Sequence, residues 1–99
     1  MNNEIRESTD RLKEIKAADM SGADHELATL QSLLRKEIER QTNVVNTTDS
    51  TDPIYRAASS DLVGLLQLGE AVADSREELT RLTLSAGKAV ARVTKKALK

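Results

Sequence analysis

The chain has 99 residues, 38% hydrophobic and 31% charged with net charge -1, and it contains one aromatic side chain, Tyr55, and no Cys, Trp or Phe. The lack of thiols excludes a disulfide framework and a thiolate metal site, and the lack of large rings leaves Leu, Ile, Val and Ala, on narrow helical stripes, to build the core. No apolar run approaches the roughly 18 residues of a membrane span, and Met1 to Glu7 has no signal-peptide character, so a cytoplasmic or intravirion location is expected.

The first predicted helix starts at Asn2 or Asn3, either of which is a good cap, and carries Ile5, Leu12 and Ile15 as a thin apolar stripe on a charged segment. Met20 to Asp24 interrupts it, with Gly22 read as a C-terminal stop and Ser21 or Asp24 as the next cap. The second helix is predicted over residues 24–46. Leu27, Leu30, Leu34, Ile38, Gln41 and Val45 recur at spacings of three and four, while Arg35, Lys36, Glu37, Glu39 and Arg40 are expected to face water.

Residues 43–52 are rich in Asn, Thr, Asp and Ser and read as a polar loop. Thr51-Asp52-Pro53 then restarts a helix, because Pro at the first helical position loses no hydrogen bond. From there Ala58, Leu62, Leu65, Gly69, Val72, Leu79, Leu82, Ala86, Val90 and Val93 form one stripe, broken only by Arg76. With no Gly or Pro near Asp74, the spacing favours one continuous helix over residues 53–98, a rod roughly 70 Å long. Ser75-Arg76-Glu77-Glu78 also fits a capping box, and a break near Asp74 would instead give a four-helix bundle. Small residues along the stripe, Gly69 and Ala86 among them, suit close approach of another helix.

Charge is unevenly distributed. Residues 49–78 carry seven acids and two bases, whereas residues 79–99 carry six bases and no acid. Such a gradient points either to an anion-binding tail or to pairing between the two segments. Lys88, Arg92, Lys95, Lys96 and Lys99 would be the phosphate contacts of a nonspecific nucleic-acid interface; the missing aromatic rings argue against reading single strands.

His25-Glu26-Leu27-Ala28-Thr29 resembles the phosphoacceptor box of dimeric sensor histidine kinases, in which an acidic residue follows the helical His and Thr or Asn lies four positions on. The resemblance covers five residues and would imply a phosphotransfer domain centred on His25. That family carries a Pro shortly after the box, which is missing here, and no nucleotide-binding motif follows. An exposed His in the first turn of the second helix is the simpler reading. Asp24, His25 and Glu26 are contiguous and diverge on a helix, so no metal site is expected from them, and no cofactor or small-molecule substrate is expected elsewhere.

The expected protein is therefore all-α, with residues 1–99 forming one elongated domain of three long helices, and non-enzymatic. Its apolar helix faces, carried by Leu27, Leu30, Leu34, Ile38, Leu62, Leu65, Val72, Leu79, Leu82 and Val90, are expected to mediate protein–protein contact. A structural subunit, adaptor, chaperone or small inhibitor would fit, with a second copy of the chain as the foremost partner. Nucleic-acid association through the C-terminus is the alternative.

Overall fold

A computed structural model describes residues 2–97. It is all-helical, with α1 at Asn3–Lys13, α2 at Met20–Thr47, α3 at Pro53–Thr80 and α4 at Ala86–Ala97.

Helix starts follow side-chain capping. Asn2 accepts from the Ile5 amide at 2.8 Å and Asp52 from the Ile54 amide at 2.9 Å, each satisfying a donor that the first turn leaves free. Asp19 does the same for Gly22, at 2.9 Å, so α2 begins four residues before the expected start. Gly22 serves that start and not a stop, since a Cβ there would collide with Asp19 Oδ2 and push the capping carboxylate away. α2 also runs on to Thr47, so the polar loop shrinks to residues 48–52. α1 ends at Lys13, and residues 14–19 form a connection whose Ala17 carbonyl accepts from the Gly87 amide at 3.2 Å.

The third predicted helix is two helices. The break falls at residues 81–85, not near Asp74, and Ser75 lies inside α3, wholly buried, where the capping box was expected. α3 closes with the Thr83 amide donating to the Glu78 carbonyl at 2.9 Å and the Leu82 amide donating to that of Leu79 at 3.1 Å, the hydrogen-bond pair of a Schellman end. That end needs a left-handed residue, and Leu82 supplies it with φ 58°. Leu82 is thus on a turn, 80% exposed, and not on the buried stripe expected of it.

Cross-helix contacts set an up-down-up-down order. Asn2 meets Glu37 while Ser8 meets Glu26, so α1 and α2 are antiparallel. Arg76 meets Asp24, whereas Gly69 lies beside Ile38. Glu78, near the end of α3, meets Arg92 in the middle of α4, and Lys96 and Ala97 end beside Gly64, Leu65 and Leu68. One apolar cluster runs through all four helices, including Ile5 and Leu12 of α1, Leu27, Leu30 and Leu34 of α2, Leu65, Leu68 and Val72 of α3, and Ala89 and Val93 of α4. α2 and α3, at 28 residues each, outrun the 11 of α1 and the 12 of α4. Their far ends therefore project as a two-helix arm, and body and arm together measure 48 × 23 × 19 Å. Among the described residues no helix is long and apolar enough to cross a membrane.

Candidate functional site

Most residues of the predicted apolar faces are spent inside the fold. Leu27, Leu30, Leu34, Leu65, Val72 and Leu79 are buried, and Ile38 and Val90 pack partly buried against the same core. Leu62 is half-buried on α3. These faces join the helices of one chain to each other.

Where α1 starts and α4 ends, the four-helix body gives way to the arm, and this shoulder holds a recess of about 550 Å³ lined by Asn2, Glu37, Arg40, Gln41, Asp61, Gly64 and Lys96 among others. Glu37, expected at the surface, is buried here. Its carboxylate accepts from Asn2 Nδ2, from Arg40 Nε at 3.0 Å and from Gln41 Nε2 at 3.0 Å. Burial pushes its pKa up, but the hydrogen bonds from Arg40, Asn2 and Gln41 outweigh that and hold the carboxyl below its usual range. The spacing did contain a signal, since Glu37 lies seven residues after Leu30 and four before Gln41, on the buried side of α2.

Glu26 is a second buried carboxylate, accepting from Ser8 Oγ at 2.9 Å and Arg11 Nε at 2.8 Å. Together the two acids pin both ends of α1 to α2. The triplet around His25 is split by helix geometry: Asp24 accepts from Arg76 of α3 at 3.1 Å, Glu26 turns to α1, and His25 is left exposed on the second turn of α2 rather than the first. Arg76, which broke the α3 stripe, also donates to Gln31 Oε1 at 2.7 Å, so it crosslinks α3 to α2.

Of the predicted phosphate contacts, Lys88, Arg92 and Lys95 follow helical spacing along one side of α4. Lys88 and Lys95 are exposed on α4, Lys96 lines the recess, and Arg92 pairs with Glu78 at 2.9 Å. Lys99 lies outside the described residues.

Apolar side chains remain bare on α3. Ile54 is 61% exposed, Val63 57% and Leu66 51%. Ile54 shares its helical register with Ala58, Leu65 and Val72, all buried. The stripe that is core beneath α1 and α4 is thus uncovered on the arm. Comparison with known proteins returned no matching family, no matching curated protein and no matching solved structure.

Proposed function

We propose that the protein is a non-enzymatic helical interaction module that binds another protein through the projecting α2–α3 arm. The observation carrying this reading is Ile54: a large aliphatic side chain in core register stands in water because the two short helices stop before reaching it. The arm ends in a short polar loop in which Asp49 accepts from the Thr51 amide and Asp52 from the Ile54 amide, each at 2.9 Å. Helix faces of this kind dock a partner helix through a few aliphatic anchors.

A photocrosslinking amino acid placed at Ile54 or at Ala57, exposed one turn further along the arm, with Asp74 as a control position, tests the reading in the cell of origin. Discrete protein adducts from the arm positions and not from Asp74 are expected. No adducts from the arm, or the same adducts from all three positions, would overturn it.

A further inference from the structure

The turn between α3 and α4 combines three observations that point to exchange of α4 between copies. First, it is strained: Schellman ends favour Gly at the left-handed position, and here the position holds Leu82 with φ 58°. Second, nothing in Arg81-Leu82-Thr83-Leu84-Ser85 blocks a helix, since the segment has neither Gly nor Pro, and Leu79, Leu82, Ala86, Val90 and Val93 keep helical spacing straight through it. Third, α4 is held by small side chains. Its wholly buried residues are Ala86, Ala89 and Val93, two alanines and one valine.

We propose that α3 and α4 straighten into one helix through residues 81–85, and that each α4 then docks on the α1–α2–α3 surface of a second copy. The geometry closes. Because α4 runs antiparallel to α3, a straight α3–α4 rod enters an inverted second copy in the direction its α4 site requires, with a two-fold axis at the hinge. The occupant is an α4 and no other helix, because only α4 restores the Arg92–Glu78 ion pair and the seat of Gly87 on Ala17. The exchange releases the Leu82 strain at both hinges and loses none of the α4 contacts. It does not rest on the arm, and substitutions at Ile54 or Ala57 leave it unchanged.

The chain has no cysteine, so paired cysteines report the exchange cleanly. A Cβ on Gly87 would lie 3.1 Å from that of Ala17, close enough for a disulfide in Ala17→Cys/Gly87→Cys with a small shift of the connecting loop. After refolding at high concentration and oxidation, covalent dimers on a denaturing gel are expected from this double variant. Adding Leu82→Gly removes the left-handed strain and penalises the straight helix at two hinges per dimer, so the dimer dissociation constant should rise about a thousandfold. Leu82→Asn, which also tolerates the left-handed region, should raise it less. Both changes fall on an exposed turn and leave the core intact. Only intrachain disulfides in the Leu82 background at millimolar concentration, or a dimer fraction equal in all three hinge sequences, would overturn the proposal. Sedimentation equilibrium of the same proteins without the cysteines gives the same comparison free of crosslinking.

Discussion

Arg92 Nη1 lies 2.9 Å from Glu78 Oε2, joining a base of the most basic stretch of the chain to an acid of the most acidic. At this pair the charge gradient is met within the fold. Both side chains are more than a third exposed, so the contact is worth at most about 1 kcal/mol. Arg92→Gln and Glu78→Gln should each lower stability by no more than that, and the double variant should cost no more than either single one. Denaturation at low salt and at 1 M salt, where charges beyond about 3 Å are screened, should bring wild type and variants together. A loss of about 3 kcal/mol would show the pair to be part of a larger buried network.

Glu37 gives a pH dependence with a definite sign. Its carboxyl titrates lower in the folded protein than in the unfolded chain, so its contribution is complete above the unfolded value, about 4.3, and is lost as pH falls through the lower folded value. Glu37→Gln should cost about 2 kcal/mol near pH 7, in line with hydrogen bonds to a charged group. Once the pH has fallen through the folded value, the melting curves of variant and wild type should converge. A difference that stays constant as the carboxylates are titrated with acid would mean that shape, and not charge, holds the Asn2–Glu37–Gln41 cluster.

Leu34 is 1% exposed at the centre of α2. Leu34→Ala should cost about 2 to 5 kcal/mol in urea denaturation, because the side chain is lost and a cavity remains. Ile54→Ala, at an exposed position, should change stability by less than about 0.5 kcal/mol. This contrast checks which part of the shared stripe is core.

Ser75→Ala runs the other way. A buried hydroxyl without a partner loses its hydration and gains nothing, a penalty of about 1 to 3 kcal/mol that Ala removes at the cost of a small void. The variant should be more stable by about 1 kcal/mol. A destabilised Ser75→Ala would show that the hydroxyl is satisfied in solution.

At Gly64 an added Cβ would meet nothing within 4 Å. Gly64→Ala should therefore stabilise α3 by about 1 kcal/mol through helix propensity alone, raising Tm by about 4 to 8 °C.

The sequence made α2 and the start of α3 plain. Leucines at spacings of three and four read directly as one buried side, and Asp52 before Pro53 leaves the backbone no other course than to begin a helix. The α3–α4 turn was hidden because its left-handed residue is Leu82, in a stripe whose spacing continues unbroken; only tertiary packing of α4 on α1 and α3 makes the bend worthwhile. Glu26 and Glu37 were hidden for a different reason. A charged residue is buried only when distant partners satisfy it, and Ser8 and Asn2 lie 18 and 35 residues away along the chain. The shoulder recess and the bare arm depend on where α1 and α4 stop, and in α1 no residue type marks that stop.

The connections of residues 14–19, 48–52 and 81–85 are short, and each joins helices that pack side by side. The loop-closure cost is therefore small, and the search for the native topology is mainly a zipping of neighbours, α2 on α3 first, with the contacts of α4 to α1 and α2 reaching past a neighbour. Chains of such low contact order fold in microseconds to milliseconds. The same wiring makes the edge helices the first to open in native-state hydrogen exchange: amides of α4 should exchange through local release, while those around Leu30 and Val72 wait for global unfolding.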